Sequence, residues 1–315
     1  MDKKMKFAII GAGPIGGIMG AHLANAGHSI VLVDILKDHL DEIARNGLRI
    51  TGVAEMTVPF PKENLLNGID ELAGRELHGV FISVKASIMG RILPLIKQVV
   101  PSGILGISLQ NGLDTEEAIA GVFGKEKTLR IVVNYAGNLA GNGIVKISFF
   151  NSPNYIGTID SAADENAREI ARIITEAGLE TVFTREIKKH EWTKTILNAA
   201  LSPVCALTRR TMKQMMELQE TRSLAQAILQ EGIEVAGANG IEYDKDFLEM
   251  CMGYLDKAGH HKTSMHVDLE RGSPTEIGFL NEKIVEYGSA KGITAPYNSA
   301  IVSLIRGSEL AEHQG

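Results

Sequence analysis

Near the start of the chain, three glycines and one acid have the types and the spacing that suit an anionic ligand. Gly11, Gly13 and Gly16 follow the pattern G-x-G-x-x-G, and Asp34 lies 23 residues beyond Gly11. The first glycine permits a tight turn, the second lets a pyrophosphate approach the backbone, and the third allows a helix to pack closely on a strand. An acid about 20 residues further on accepts hydrogen bonds from an adenosine ribose. These four residues therefore predict a dinucleotide site.

The segments that flank these residues are the ones that such a site needs. Residues 7–10 form an apolar run of strand length, residues 14–26 carry apolar side chains at helical spacing, and residues 30–33 form a second strand. Pro14 and Ile15 lie in the first turn of the helix, where free N–H groups and the positive end of the dipole favour a phosphate. We expect both to contribute to cofactor binding. The alternative is a plain strand–helix–strand packing unit.

Asp34 narrows the identity of the dinucleotide. A carboxylate at the ribose position repels the 2′-phosphate of NADP(H), and Lys37 is near enough in sequence to lessen that repulsion. We therefore expect NAD(H) as the preferred cofactor, with NADP(H) as a possible second one. The alternative is that Asp34 is a solvated acid at the end of a strand.

Strand-like runs alternate with helical patterns in the next segment of the chain. Residues 80–84 and 104–109 indicate buried strands of a doubly wound parallel sheet, in which ligands lie at the carboxyl ends of the strands. Lys85 and Asn111 follow these two strands, so we expect both near the cofactor. Asn111-Gly112 is also an ordinary turn dipeptide, which leaves the alternative of a simple turn.

The character of the sequence changes twice after this sheet. Residues 129–135, 143–150 and 155–159 look like an antiparallel continuation of the sheet, whereas helical patterns alone follow residue 184. These helices are predicted over 186–201, 222–238, 244–257, 275–290 and 297–306. We therefore predict an α/β Rossmann-type dinucleotide-binding domain over residues 1–185 and an all-α domain over 186–315.

Composition excludes several classes of partner. The formal net charge of −6 and the absence of a Lys/Arg block argue against nucleic acid or an anionic membrane. Cys205 and Cys251 are the only two cysteines, so no disulfide framework is expected. No apolar run is long enough to span a membrane, and the glycine turn argues against a signal peptide. We expect a cytoplasmic location and leave the oligomeric state open, with a homodimer as one possibility.

A polar face on one predicted helix is a second candidate for function. Lys194, Asn198 and Ser202 follow one another at intervals of four residues, which places them on the same side of a helix. The helix is otherwise mostly apolar, so solubility alone does not explain the polar face. The alternative is that Lys194 is an ordinary solvated lysine.

A third group of polar residues lies between residues 260 and 276. Ser273 and Glu276 have the spacing of a helix capping box, with a proline at the first helical position, and Ser264 could likewise cap a helix. Three histidines also lie here, at positions 260, 261 and 266. Because no cysteine or glutamate stands at a familiar ligand spacing from them, we expect no metal site.

Taken together, these motifs resemble the ketopantoate reductase (2-dehydropantoate 2-reductase) family over nearly the whole chain. The resemblance implies a Rossmann domain followed by a helical domain like that of 6-phosphogluconate dehydrogenase. It implies an enzyme that reduces the ketone of a small 2-oxo acid, most directly 2-dehydropantoate to pantoate in pantothenate biosynthesis. The motifs, in chain order, are GAGPIG at 11–16, Val84-Lys85-Ala86, Gln110-Asn111-Gly112, Lys194 with Asn198, Ser264-Met265-x-x-Asp268, Thr275-Glu276-Ile277 and Ala295-Pro296-Tyr297-Asn298.

The resemblance also assigns roles to individual residues. The family's proton-donating lysine falls on Lys194 and its partner glutamate on Glu276, while Asn111, Asn198 and Ser264 fall on substrate-binding positions. Hydride transfer to a ketone leaves negative charge on the oxygen, which a charged lysine stabilises and then protonates. A nearby glutamate favours the charged form of that lysine.

Three departures from the family pattern keep other functions open. Ser202 and His261 stand where the family has asparagines, both on the substrate side, and Asp34 contrasts with the NADPH preference of the better-known members. A related enzyme acting on a different 2-oxo or hydroxy acid is therefore one alternative. A non-catalytic dinucleotide-binding sensor is the other.

Overall fold

The computed structural model describes residues 4–312, which divide into two compact units. The first consists of the chain up to Gln110 together with Asp114–Ile187, and the second of Asn111–Leu113 together with the chain from Lys188 onward. The short segment Asn111–Leu113 thus belongs to the second unit although it lies within the sequence of the first.

The first unit alternates strands and helices. Its elements are β1 (Lys6–Ile10), α1 (Pro14–Asn25), β2 (Ser29–Val33), α2 (Lys37–Asn46), β3 (Leu48–Gly52), β4 (Met56–Val58), β5 (Leu65–Leu66), β6 (Gly79–Ile82), α3 (Met89–Val99), β7 (Leu105–Ser108), α4 (Thr115–Phe123), β8 (Thr128–Val132), β9 (Tyr135–Gly141), β10 (Ile144–Phe150), β11 (Asn154–Thr158), α5 (Asp164–Glu176) and β12 (Thr181–Phe183).

Eight of these strands form the main sheet, in the order β12-β11-β8-β7-β6-β1-β2-β5. Neighbouring strands from β8 to β5 are parallel, and β11 is antiparallel to β8. The buried β-branched runs of β1 and β2 occupy the interior of this sheet, as expected for strands covered on both faces. The predicted α/β Rossmann-type architecture is confirmed.

The remaining four strands form a second sheet, in the order β4-β3-β10-β9. The predicted antiparallel continuation is therefore right for β11, which is antiparallel to β8. It is wrong for β8 itself, which is parallel to β7, and for the predicted strand over 143–150, which is β10 of the second sheet. β10 pairs with β3 in parallel and with β9 in antiparallel fashion, and the β9–β10 hairpin packs on α1. The hairpin lies there because α1, buried on every side over residues 16–23, has no face suited to water.

The second unit contains α6 (Ile187–Thr208) from Lys188 onward, α7 (Met212–Glu217), α8 (Gln219–Ala238), α9 (Phe247–Asp256), α10 (Ser264–Glu270), α11 (Asn281–Ala290) and α12 (Pro296–Glu312). The all-α character of this unit is confirmed. α6 runs beyond its predicted end, through Pro203, and the two short helices α7 and α10 were not predicted. Within residues 4–312, no helix has the length and apolar character needed to cross a membrane.

The predicted helix over 275–290 is wrong in its first turn. Residues 273–276 are not helical, a single 3₁₀ turn covers Ile277–Phe279, and α11 begins only at Asn281. The backbone N–H and the hydroxyl of Thr275 both donate to Glu309 Oε1 of α12, at 2.8 and 2.7 Å. This contact with a distant helix holds residue 275 outside the helix, which local sequence patterns could not reveal.

One buried histidine of the first unit links α1 to the end of α5. His22 is 8% exposed, and its Nδ1 lies 2.9 Å from the Ala177 carbonyl oxygen. Burial lowers the pKa of His22 below its ordinary value of 6.5, although the hydrogen bond to Ala177 acts in the opposite direction. The folded protein therefore takes up a proton on His22 less readily than the unfolded chain does.

We expect this histidine to make the protein less stable in acid. As the pH falls below about 6.5, the unfolded state binds the proton first, so the free energy of unfolding should decrease by at most about 1.4 kcal/mol per pH unit. The free energy of unfolding, measured by urea denaturation at pH 7.5 and at pH 5.5, should differ less between the two pH values for His22→Gln than for the wild type. His260→Gln, at an exposed position, is the control. An unchanged pH dependence in His22→Gln would contradict this assignment.

Candidate active site

The glycine turn between β1 and α1 is built by close contacts of its backbone. Gly11 has φ +98°, a left-handed conformation that favours glycine. A β-carbon at Gly16 would overlap the Gly11 carbonyl oxygen and the Ser83 hydroxyl, so α1 can approach β1 and β6 only with glycine there. Around Gly13, by contrast, no atom of the described residues, apart from Gly13 and its two chain neighbours, lies within 4 Å of the position of a β-carbon. The backbone of Gly13 therefore borders open space.

The start of α1 fits a pyrophosphate. Its N-cap residue is Gly13, no side chain within residues 4–312 caps its first N–H groups, Pro14 occupies the first turn, and that turn has no acidic residue. Uncapped N–H groups at a helix start, beside open space, suit the phosphates of a dinucleotide. Ile15 and Gly16 follow in the same turn, so the predicted glycine, proline and isoleucine positions lie together.

Asp34 joins the end of β2 to this turn. Its Oδ2 accepts a hydrogen bond from the Ala12 N–H at 2.7 Å, and its Oδ1 accepts one from the Leu36 N–H at 2.9 Å. Asp34 is half-buried, and each carboxylate oxygen has capacity for a further hydrogen bond. The carboxylate is therefore held beside the glycine turn by the backbone, in a position compatible with the ribose role predicted for it.

Two side chains that no sequence pattern indicated, Ser83 and His39, complete the turn. Ser83, just after β6, places its hydroxyl 2.7 Å from the Gly11 carbonyl oxygen. His39 of α2 is fully buried, with Nδ1 accepting from the Gly143 N–H at 2.9 Å and Nε2 3.1 Å from the Ala12 carbonyl oxygen. Since Nδ1 accepts, Nε2 carries the proton and donates to Ala12. A buried helix histidine has no sequence signal that would indicate this contact.

The carboxyl end of β7 is held by a buried arginine. Arg130 of β8 is 2% exposed and donates from Nη1 to the Gln110 carbonyl oxygen at 2.6 Å and to the Ser108 hydroxyl at 2.8 Å. The fully buried Glu116 lies 3.8 Å from its Nε. A buried charge of this kind requires such a partner. Lys85, at the end of β6, is half-buried and precedes the 3₁₀ turn Ala86–Ile88.

In the second unit, Asn111 lies in a segment that packs on the residues following Glu276. The Leu113 N–H donates to the Phe279 carbonyl oxygen at 3.1 Å. Gly112 has φ +94°, and a β-carbon there would lie 2.6 Å from that same oxygen. The Asn111-Gly112 dipeptide is thus more than a solvent-exposed turn, because its glycine is needed for this contact. Asn111 and Glu276 are both half-buried.

Helix α6 carries the predicted polar face. Lys194 and Asn198 are half-buried, and Ser202 is 9% exposed. The Ser202 carbonyl oxygen accepts a hydrogen bond from the Thr263 hydroxyl at 3.2 Å. Thr263 directly precedes α10, so this bond brings the start of α10 to Ser202.

The capping alternatives for Ser264 and Glu276 are both wrong. Thr263 is the N-cap residue of α10, its hydroxyl accepting from the His266 N–H, and Ser264 is an exposed residue in the first helical position. Glu276 precedes the 3₁₀ turn and lies in no helix begun by Ser273. His261 is exposed, and its carbonyl oxygen accepts from the Met212 N–H at 3.3 Å.

Among residues 4–312, no three histidine, cysteine or acidic side chains are grouped so as to hold a metal ion. Both cysteines are buried, and burial raises the pKa of Cys205 to about 12 and that of Cys251 to about 11. Neither thiol is therefore suited to act as a nucleophile near neutral pH.

The fold and the glycine turn define the first unit as a Rossmann-type dinucleotide-binding domain. Comparison with known proteins identifies relatives that match nearly the whole chain, including the second unit. Sequence profiles described as ketopantoate reductase PanE/ApbA and ketopantoate reductase PanE/ApbA C terminal match residues 7–161 and 186–309. The 2-dehydropantoate 2-reductase of Pyrococcus abyssi (strain GE5 / Orsay) is 29% identical over 308 residues, covering 98% of this chain and 99% of that protein.

Solved structures agree with this similarity. The 2-dehydropantoate 2-reductase from Geobacter metallireducens GS-15 is 26% identical with a TM-score of 0.88, covering 96% of this chain and all of that one. D-mandelate dehydrogenase, solved with NADH and anilino(oxo)acetate, has a TM-score of 0.86 at 23% identity, covering 98% and 99%, and at that identity shows the fold alone. The chain belongs to the ketopantoate reductase PanE/ApbA family and is an NAD(P)-dependent oxidoreductase.

The two glycines of the turn provide a matched pair of substitutions. We expect Gly16→Ala to lower the free energy of unfolding by about 1–3 kcal/mol, because the added methyl group overlaps buried backbone. Gly13→Ala should change it by less than about 0.5 kcal/mol and yet weaken NADH binding by tenfold or more, about 1.4 kcal/mol, since the methyl group enters the space predicted for the pyrophosphate. Urea denaturation measures the free energy of unfolding of each variant, and fluorescence titration measures its affinity for NADH. Normal NADH affinity in Gly13→Ala would contradict the placement of the phosphates.

Proposed function

We propose that this protein reduces 2-dehydropantoate to pantoate with a nicotinamide cofactor. The observation that carries the proposal is the bond from Thr263 to Ser202, which brings the start of α10, with Ser264, to the helix that bears Lys194 and Asn198. These residue types suit the reduction of a 2-oxo acid. A cation stabilises the developing alkoxide, and neutral hydrogen-bond donors bind the other oxygens of the substrate. Relatives named 2-dehydropantoate 2-reductase support this choice of substrate.

Each side chain has a defined task in this proposal. A nicotinamide cofactor, when bound, would supply hydride to the ketone carbon. Lys194 stabilises the negative charge that grows on the ketone oxygen and donates a proton to it from Nζ. Glu276 favours the charged form of Lys194. The Ser264 hydroxyl, exposed at the start of α10, donates to the substrate carboxylate.

The remaining polar residues of the candidate site contribute to substrate recognition. Asn111 and Asn198 hydrogen-bond the oxygens of the substrate, while Ser202 and His261 stand at positions where the family pattern has asparagines. Serine is shorter than asparagine and histidine is bulkier, so these two positions determine which 2-oxo acid fits.

A spectrophotometric screen tests the proposal directly. Oxidation of NADH and NADPH should be followed with 2-dehydropantoate and a panel of other branched and aromatic 2-oxo acids. The highest kcat/KM should be found for 2-dehydropantoate. A clear preference for another 2-oxo acid would identify a related dehydrogenase, and turnover of none would favour a non-catalytic dinucleotide-binding protein.

The proposed role of Lys194 predicts a large kinetic effect. Lys194→Ala should lower kcat by about 10²–10⁴-fold, while NADH affinity and stability stay close to those of the wild type. Glu276→Ala should also be slow, and the double variant should be far from additive if the two side chains act together. Lys257→Ala, at an exposed lysine of the same unit, is the control. Near-normal turnover in Lys194→Ala would remove this residue from the mechanism.

We also propose that NADH is the preferred cofactor, on account of Asp34. Dissociation constants for NADH and NADPH should favour NADH in the wild type, and Asp34→Ser should reduce the ratio between them by about tenfold, or 1.4 kcal/mol. Asp38→Asn changes an exposed acid in the first turn of α2 and should leave the ratio unchanged. A wild-type preference for NADPH would show that Asp34 serves only to hold the glycine turn.

A further inference from the structure

Helix α6 contains a proline directly after Ser202, at the end of its candidate substrate-binding face. Pro203 has no N–H, so the carbonyl group of Ala199, four residues earlier, loses its regular donor within the helix. Ala199 is fully buried, and a buried carbonyl without a donor is costly. The interruption affects the turn from Ala199 to Pro203, which contains Ser202.

Asn281 of α11 supplies the missing donor. This side chain is fully buried, and its Nδ2 lies 3.1 Å from the Ala199 carbonyl oxygen and 3.0 Å from Oδ1 of Asn298 in α12. Its own Oδ1 has no partner in the described part of the chain. Asn281 therefore acts here through both of its N–H groups, one of which is directed at the break in α6.

Glu231 of α8 determines which way these amides point. Its Oε2 accepts from Asn298 Nδ2 at 2.7 Å and from the Asn298 N–H at 2.9 Å, while Oε1 accepts from the Tyr297 N–H at 2.9 Å. An ionised carboxylate only accepts hydrogen bonds, so the amide nitrogen of Asn298 must face Glu231 and its oxygen must face Asn281. Asn281 then directs its own amide nitrogen to Ala199. The same carboxylate also stabilises the start of α12.

We propose that Asn281, oriented by Asn298 and Glu231, is a positioning residue for the reaction. By donating to Ala199 it holds the proline break of α6 in one geometry. That geometry sets the position of Ser202, which lies within the interrupted turn, relative to Lys194 and Asn198, which precede it. The proposal rests on the proposed function, because it assumes that these three side chains bind the same substrate. Loss of the donor releases the carbonyl, and displacement of binding groups by about 1 Å can cost about 10²-fold in rate.

The test begins with Asn281→Leu, which keeps the approximate size of the side chain and removes both donors. We expect kcat for the 2-oxo acid to fall about 10- to 100-fold and Tm to fall by several degrees, while the Kd for NADH stays within about twofold of the wild-type value. Unchanged kcat, or an equal loss of NADH affinity, would overturn the proposal.

The substitution Pro203→Ala distinguishes two roles for Asn281. Asn281 either positions Ser202 or only supplies a hydrogen bond to the Ala199 carbonyl. Alanine restores an N–H that can donate to Ala199, so the double variant Asn281→Leu with Pro203→Ala should recover Tm. Its kcat should remain low, because a turn closed by its own backbone hydrogen bond no longer has the geometry that positions Ser202. Recovery of both Tm and kcat would show that Asn281 only satisfies the carbonyl, which overturns the proposal.

Glu231→Gln provides a milder variant if Asn281→Leu does not fold. Glutamine can donate as well as accept, so it no longer imposes one orientation on Asn298. We expect kcat to fall by about threefold or more with unchanged NADH affinity, while Glu234→Gln, an exposed glutamate three residues further along α8, behaves as the wild type. Wild-type kcat in Glu231→Gln would overturn the proposal.

Failure of the proposed function is distinguishable from failure of this inference. If the wild type reduces no 2-oxo acid, the proposed function is wrong. Amide hydrogen exchange over residues 198–207 then decides whether the network holds the break. Exchange should be faster in Asn281→Leu than in the wild type and unchanged in Glu234→Gln, and equal exchange in all three would overturn the inference.

Discussion

Buried carbonyl groups that accept hydrogen bonds from side chains hold the irregular backbone segments of each unit in place. The Ala12 carbonyl in the glycine turn accepts from His39, the Gln110 carbonyl at the end of β7 accepts from Arg130, and the Ala199 carbonyl beside the proline break accepts from Asn281. A buried carbonyl without a donor costs about 1–3 kcal/mol. Each irregular segment of backbone is therefore held by a side chain remote in sequence.

The donors are themselves buried and held by further contacts. His39 is oriented by the Gly143 N–H, Arg130 by its contacts with Ser108 and Glu116, and Asn281 by Asn298. Burying such groups is favourable only when their hydrogen-bonding capacity is largely used, so the networks specify one conformation more than they add stability. Irregular backbone at a site that binds ligand is useful only if it is rigid, and these contacts supply the rigidity.

Much of the fold and part of the candidate site could be predicted because their signals are local. The glycine spacing, the flanking apolar runs and the acid at position 34 lie within one strand–helix–strand unit, so their patterns report directly on the structure. The capping residue of α10 could not be predicted in the same way. Thr263 and Ser264 are adjacent and chemically similar, and only the extended backbone of Thr263, fixed by its bond to Ser202, decides that it is the cap.

The amino-acid sequence by itself determined the class of the protein: a Rossmann-type domain with a glycine turn, an all-α second half, and Lys194, Asn198 and Ser202 along one helix. Periodicity and glycine placement suffice for these features because they depend on neighbours a few residues apart. Only the tertiary structure decided that the β9–β10 hairpin joins a second sheet, that Glu276 lies outside a helix, and that Asn281 donates to Ala199. Those outcomes depend on partners distant in sequence, whose unsatisfied polar groups and apolar faces meet only once the chain has folded.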